Sequence, residues 1–252
     1  MNEMTFWDHA EALRGVILRG LAVVVALVAV YFAVMPRLFD SVILAPCRPD
    51  FALYTLLGVE VGEVRLININ LASQFFTHMS ASLYLALVTA FPIIVYLLWG
   101  FVAPGLYESE KRGAPVAFTA GCVMFFTGVA VGYFLVFPLT LRFLADYQLS
   151  PLIPNQISLD SYMDNFVMTV LVMGIVFELP VVAWLLGRAG MIDRGLFTRY
   201  RRHAIVALLV LAAVVTPSGD PMTLMAVFTP VYILWEASAL AVPRRQPQLS
   251  QE

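Results

Sequence analysis

The chain has 252 residues, of which 61% are hydrophobic and 13% charged, and its formal net charge is -2. Because soluble domains carry roughly 25% charged residues, this composition excludes a water-soluble protein. A net charge of -2 leaves no basic excess to neutralise a nucleic-acid backbone, which disfavours nucleic-acid binding. The two cysteines have neither metal-ligand spacing nor a disulfide framework around them. The sequence therefore predicts an all-α polytopic membrane protein without a metal or cofactor.

Six apolar segments predict six transmembrane helices in a single domain over residues 1–242. A segment of about 20 residues is long enough to cross a hydrocarbon core of about 30 Å. The fifth segment has only 12 residues, and we expect the fifth and sixth helices to be short. Residues 243–252 predict a flexible cytoplasmic tail. The predicted spans are 16–35, 75–103, 115–137, 161–186, 204–215 and 222–242.

The connections between the spans set the orientation. Those on the side of both termini hold eleven Lys and Arg residues, whereas the opposite connections hold four. Because basic connections stay in the cytoplasm, the N-terminus and C-terminus are both predicted inside. In the external connection 36–74, apolar residues alternate with asparagines over 67–71, which permits a short strand or an amphipathic extended segment. Pro138 is expected to end the third span and to begin a polar connection over 138–160.

Glu178 lies near the middle of the fourth span, two positions before Pro180. An ionised carboxylate at that depth costs at least a few kcal/mol, so Glu178 should face protein or a water-filled cavity, or be protonated. We expect a buried carboxylate on a concave face, with the helix bent around it because Pro180 removes a helix donor. Glu236 in the last span is a second intramembrane carboxylate, closer to the cytoplasmic end.

The connection after the second span carries two carboxylates, Glu108 and Glu110, followed by Lys111 and Arg112. Carboxylates suit guanidinium groups through charge-assisted hydrogen bonds. On loop chemistry alone, however, a solvated turn that follows the positive-inside rule is favoured. The three histidines are scattered, which indicates neither a metal site nor a Ser/His hydrolase. No Gly-rich phosphate loop is present, which argues against an ATP-driven pump.

Taken together, these residues resemble the TatC family, the multispanning receptor subunit of the twin-arginine protein translocase. The most specific element is the segment Phe101 to Arg112, which is similar to the family pattern F-x-A-P-x-L-Y-x-x-E-[KR]-R after span two. Other matches fall in order along nearly the whole chain. They are Ala45-Pro46 in the first external loop, Ser161-Tyr162 with Phe166 at the start of span four, Phe177-Glu178-Leu179-Pro180 inside it, and Thr216-Pro217 with Asp220 after span five.

The resemblance implies a non-enzymatic receptor and translocase core in the bacterial cytoplasmic membrane. It implies binding of the twin-Arg signal peptides of folded precursors, recruitment of single-span TatA- and TatB-type subunits, self-association, contact with membrane lipid, and export driven by the proton-motive force. The signal-peptide residues implied are Glu110, Glu11, His9, Arg14, Phe101, Pro104, Leu106, Tyr107 and Arg112. The intramembrane polar or partner site comprises Glu178, Pro180, Thr216, Asp220 and Glu236, and the structural residues are Pro46, Tyr162 and Phe166.

One departure from the family concerns the N-terminal pattern H-L-x-E-L-R, which here runs from His9 to Arg14. The family's signal-binding Glu position is Ala12, and only the preceding Glu11 is acidic, about 100° away around a helix. The alternative function is a six-span secondary transporter in which Glu178 couples proton flow to a small solute. An intramembrane protease lacks a plausible Ser/His pair on adjoining spans.

Overall fold

The computed structural model describes residues 6–59, 61–102, 113–150, 152–153, 155–216 and 220–242. Of residues 6–9, 102 and 114 it describes the backbone only. The chain forms two compact units, residues up to 118 with 156–167, and residues 119–155 with those from 168 onwards. The helices are α1 (Phe6–Leu38), α2 (Ala52–Leu57), α3 (Ser73–Val102), α4 (Ala114–Val131), α5 (Phe137–Asp146), α6 (Leu159–Val176), α7 (Leu179–Arg188), α8 (Arg194–Arg199), α9 (Arg201–Val215) and α10 (Pro221–Ala241). The strands are β1 (Leu66–Ile67) and β2 (Ile157–Ser158), with π-helical turns at Phe39–Ile43 and Gly132–Val136 and a 3-10 turn at Ala45–Cys47.

Five helical stretches of the described chain are long and apolar enough to cross a membrane. They are Ala10–Leu57, Ser73–Phe101, Pro115–Asp146, Leu159–Arg188 and Pro221–Ala241. The fifth predicted span lies in α9, whose 15 residues make it short, as predicted. The expectation of a short sixth helix is wrong, because α10 has 21 residues and its N-terminus is capped by Asp220. Six spanning helices and the inside location of both termini stay predictions.

The first unit is built on the packing of α1 along α3. His78, in the second turn of α3, bonds through Nε2 to the carbonyl of Phe32 at 2.8 Å. Its ring also stacks on the Phe32 ring, with centroids 4.0 Å apart. Because Phe32 lies near the end of α1 and His78 near the start of α3, the two helices run antiparallel.

A short parallel ladder pairs Leu66 with Ile157 and Ile67 with Ser158. The strand permitted by the alternating pattern over 67–71 is therefore present, but it covers only two residues, 66 and 67. Just after β2, the Asp160 carboxylate accepts hydrogen bonds from Asn70 at 2.9 Å and Ser73 at 2.6 Å. These bonds tie the end of the connection before α3, and the first residue of α3, to the start of α6.

In the second unit, the helix of the third span does not end at Pro138 as expected. It continues from α4 through the π turn into α5 and ends at Asp146. A proline in an α-helix clashes with the carbonyl four residues earlier, which here is that of Phe134 inside the π turn. The wider i→i+5 turn accommodates this ring without breaking the helix. The polar connection predicted over 138–160 therefore starts after Asp146.

The apolar core of the second unit is formed by the π turn before α5, the end of α6, and helices α9 and α10. Its buried members are Val136, Met173, Val176, Phe177, Leu208, Ala212, Val215, Val227, Val231 and Leu234. Helix α10 packs on α5, α7, α8 and α9. The core includes Val176 and Phe177, which directly precede Glu178 at the break between α6 and α7.

Candidate functional site

The fourth span is interrupted at Phe177 and Glu178. The Phe177 N–H donates to the Met173 carbonyl at 3.0 Å, whereas the Glu178 N–H donates to the Ile175 carbonyl at 3.1 Å, one residue tighter than an α-helical bond. Pro180 then lies in the first turn of α7, where its missing N–H costs no helical hydrogen bond. The α-helix is therefore interrupted at the glutamate, and the expected bend there stays a prediction.

The Glu178 carboxylate lies against α4 at Gly121. A Cβ built on Gly121 would lie 3.2 Å from Oε2 of Glu178, which is closer than ordinary contact. Glu178 is half-buried rather than fully buried, but its Oε1 atom is buried and has no hydrogen-bond partner among the described residues. The glycine therefore forms a niche that holds the carboxylate and leaves one oxygen to accept a further bond.

Glu236 is bonded to a residue of the neighbouring helix rather than to Glu178. Its Oε2 accepts a hydrogen bond from Nη2 of Arg201 at 2.7 Å, and the two side chains are 35% and 51% exposed. This pair connects the start of α9 to the end of α10.

Thr216 and Asp220 terminate the helices on either side of the turn that joins α9 and α10. The buried Thr216 hydroxyl donates to the Ala212 carbonyl at 2.9 Å, at the end of α9. Asp220 accepts the Thr223 N–H at 2.7 Å and caps the N-terminus of α10. Both residues therefore fix the ends of helices, and their role toward a partner stays a prediction.

Of the predicted signal-peptide residues, Glu11 and Arg14 are exposed on the first turns of α1, and Phe101 lies in the last turn of α3. His9 lies in α1, but its side chain falls outside the described atoms. The other predicted residues, Pro104, Leu106, Tyr107, Glu110 and Arg112, lie outside the described residues, as does the tail 243–252.

The antiparallel pairing of α1 and α3 brings Glu11 and Phe101 to the same end of the first unit. From Phe32 back to Glu11 is 21 residues, or about 32 Å of helix, and from His78 on to Phe101 is 23 residues, or about 35 Å. Both distances start at the contact between Phe32 and His78. Glu11 and Phe101 therefore lie at similar heights along the pair of helices.

The three predicted structural residues lie in the first unit. The Pro46 carbonyl accepts a hydrogen bond from the Tyr54 hydroxyl at 3.0 Å. The buried Tyr162 hydroxyl donates to the Ile43 carbonyl. Phe166, fully buried, packs edge-on against Tyr84 with centroids 5.5 Å apart. These contacts connect the external connection, α3 and α6 within one unit.

Sequence reasoning missed two partners of the carboxylates, Gly121 and Arg201. Gly121 is one of several glycines in the third span, and Arg201 is one of five basic residues in its connection. Nothing in the local pattern singles out either one, because each is paired by the packing of helices. Within the described part of the chain, no three His, Cys, Asp or Glu residues lie close enough together to hold a metal ion.

Comparison with known proteins gives a match over most of the chain. Residues 8–230 match the family model described as Sec-independent protein translocase protein (TatC). The chain belongs to the TatC family. It is 32% identical to the TatC protein of Deinococcus radiodurans over 231 residues, covering 91% of this chain and 82% of that protein. It is 30% identical to TatC of Campylobacter jejuni, covering 95% of this chain and 94% of that one.

The fold is also similar to a solved TatC structure. A crystal structure of the twin-arginine translocase receptor TatC in the detergent DDM superposes with a TM-score of 0.78 at 26% identity, over 93% of this chain and 99% of that one. The protein is therefore a multi-pass membrane protein and a translocase component rather than a classical enzyme. These similarities do not favour a proton-coupled solute transporter.

Proposed function

We propose that this protein is the receptor and core subunit of a twin-arginine translocase. In this role it binds the twin-Arg signal peptides of folded precursors on its cytoplasmic face. It then recruits TatA- and TatB-type single-span subunits for export driven by the proton-motive force. Its membership of the TatC family and its similarity to a structure described as the translocase receptor support this role.

The observation that carries the proposal is the shared end of α1 and α3. Glu11 and Arg14 are exposed there on α1, and Phe101 leads from α3 into the segment that contains Glu110. An arginine pair presents two planar guanidinium groups that each favour a carboxylate in a two-bond geometry. Glu110 would receive one arginine and Glu11, beside the alanine at position 12, the other.

The niche around Glu178 supports recruitment of partner helices. Its Oε1 atom is buried and has no partner among the described residues, and a buried acceptor left unpaired costs about 1 to 3 kcal/mol. A polar side chain on a single-span partner helix would remove this cost by donating to Oε1. Recruitment therefore has a physical driving force at this position.

We expect Glu110→Gln to weaken binding of a twin-Arg signal peptide by about 10- to 150-fold. The substitution preserves shape but removes the charge, and a hydrogen bond to a charged group contributes about 1.5 to 3 kcal/mol. The measurement is the affinity of a fluorescent twin-Arg peptide for the purified protein in nanodiscs.

The matched control is Glu63→Gln, which removes one exposed carboxylate that pairs only loosely with Arg65, at 3.7 Å. This control should bind the twin-Arg peptide as tightly as the unmodified protein does. A twin-Lys peptide should bind weakly to the unmodified protein and to both variants. If Glu110→Gln and Glu63→Gln bind the twin-Arg peptide equally well, the Glu110 carboxylate does not bind an arginine of the signal peptide.

A further inference from the structure

A cavity lies in the first unit, where the end of α1, the π turn after it, β1 and the start of α3 meet. Its volume is about 440 Å³, which is within the range of small-molecule sites, roughly 300 to 1,000 Å³. All of its described lining residues belong to the first unit. The cavity lies at the predicted external ends of the first two spans, and it is therefore separate from the end that holds Glu11 and Phe101.

The walls of the cavity are mainly apolar, but one buried polar group faces it. Met35, Phe39, Leu44 and Leu66 contribute apolar side chains. Thr77 also lines the cavity and is only 5% exposed, yet its hydroxyl forms no hydrogen bond with any residue that the structure describes. A buried hydroxyl without a partner is unfavourable. Thr77 is therefore suited to bond a polar group of a molecule inside the cavity.

Opposite charges stand next to each other at the exposed edge of the cavity. Among the described lining residues, Asp40 is the only Asp, Glu, Lys or Arg, and its exposed carboxylate forms no ion pair with any described residue. Beside it, Nη2 of Arg48 donates to the backbone carbonyl of Asp40 at 2.8 Å. A guanidinium has five N–H groups, so Arg48 keeps donors for another acceptor. The edge therefore offers one carboxylate and one guanidinium to a ligand.

We propose that this cavity binds the phosphoethanolamine headgroup of a phospholipid in the outer leaflet. The Asp40 carboxylate accepts hydrogen bonds from the primary ammonium, and Arg48 donates to the phosphate. The Thr77 hydroxyl bonds an ester oxygen, and the apolar walls contact the first part of an acyl chain. The inference does not rest on the proposed signal-peptide site.

The chemistry of the cavity favours this ligand over other occupants. A lipid with a phosphate but no cation would leave Asp40 unpaired and would repel it. A trimethylammonium group has no N–H to donate to the carboxylate. A partner helix about 10 Å across fills roughly 420 Å³ per turn, so the cavity has room for only about one turn of it.

The test measures binding of phosphatidylethanolamine, phosphatidylcholine and phosphatidylglycerol to the delipidated full chain in detergent, as lipid adducts in native mass spectrometry. We expect the unmodified protein to bind phosphatidylethanolamine at least about ten-fold more tightly than the other two. Asp40→Asn should remove most of this preference. Arg48→Gln should weaken phosphatidylethanolamine and phosphatidylcholine alike, because both contain a phosphate. Thr77→Val should weaken both about five-fold.

The matched control is Asp50→Asn, which removes an exposed carboxylate of the same external connection that does not line the cavity. Equal affinity of the unmodified protein for phosphatidylethanolamine and phosphatidylcholine would overturn the proposal, as would the same preference in Asp40→Asn and Asp50→Asn. Displacement of the lipid by an equal concentration of soluble glycerophosphoethanolamine would also overturn it, because the apolar walls would then contribute nothing. If Thr77→Val does not fold, the variants of the exposed Asp40 and Arg48 decide the matter.

Discussion

At the scale of single residues, the position of the Glu178 carboxylate depends on Gly121 of α4, which has no side chain in the way. The carboxylate occupies the space beside α4 that a Cβ on Gly121 would invade, at 3.2 Å from Oε2. Its second oxygen, Oε1, remains buried without a partner in the described chain. Gly121 thus leaves room for the carboxylate, and acceptance of a bond from a partner helix by Oε1 is our proposal.

We expect Glu178→Ala to reduce co-purification of single-span subunits about five-fold or more, which corresponds to about 1 kcal/mol for a lost hydrogen bond. Glu178→Gln should do less harm, because an acceptor remains. Gly121→Val should approach the effect of Glu178→Ala, because the new side chain displaces the carboxylate. Gly20→Val adds the same side chain to α1, where a Cβ meets nothing within 4 Å, and should change nothing.

The melting temperature separates this role from a structural one. Glu178→Ala removes a buried acceptor without a partner, so its thermal stability should be unchanged or higher. Degradation or misfolding of Glu178→Ala would instead show that the carboxylate stabilises the packing of the spans.

How far the site could be predicted differs from residue to residue. The depth of Glu178 and the nearby Pro180 were enough to predict a disturbed helix at an intramembrane carboxylate, because both are properties of one segment; the function of Glu178 stays a prediction. The niche at Gly121 and the pair of Glu236 with Arg201 depend on which faces of two helices meet, and no local pattern contains that information. The prediction that Glu236 lies in a partner site also could not reveal that Arg201 binds one oxygen of its carboxylate, Oε2, while Oε1 has no partner among the described residues.

At the scale of the elements, the helices follow the hydropathy pattern, but their ends follow local hydrogen bonding. Pro138 was expected to end the third span, yet the π turn before it lets the helix continue to Asp146. Conversely, the short fifth helix was predicted from its apolar length alone. Helix α4 at Gly128 and the following π turn at Gly132 approach α6 closely, since a Cβ at either position would lie within about 3 Å of α6 atoms.

We expect Gly128→Ala to destabilise the protein by about 1 to 3 kcal/mol, as overpacking of a close helix contact does. The added Cβ would lie 2.5 Å from the Met173 carbonyl oxygen and 2.7 Å from the Phe177 Cβ, and backbone atoms cannot yield easily. Unfolding in detergent by denaturant titration measures the change. Gly20→Ala, on an open face of α1, should be neutral or stabilise by up to about 1 kcal/mol. Equal stability of the two variants would show that α4 and α6 are not in close contact at Gly128.

At the scale of the whole molecule, the sequence gives good grounds for a multi-pass helical protein of the TatC family, and the comparisons confirm it. The location of both termini inside rests on the distribution of basic residues, eleven against four, and stays a prediction. The antiparallel pair of α1 and α3 brings Glu11 and Phe101 to one end of the first unit. Binding of two consecutive arginines there stays a proposal.

The most direct test of the receptor function is photo-crosslinking of a twin-Arg signal peptide to this protein in membranes. The photoreactive group stands next to the arginine pair, and the adducts are located by mass spectrometry. We predict adducts within residues 6–14 and 101–112, and their loss when the arginine pair is replaced by lysines. Adducts confined to other parts of the chain, or equal crosslinking of the twin-Lys peptide, would contradict the account.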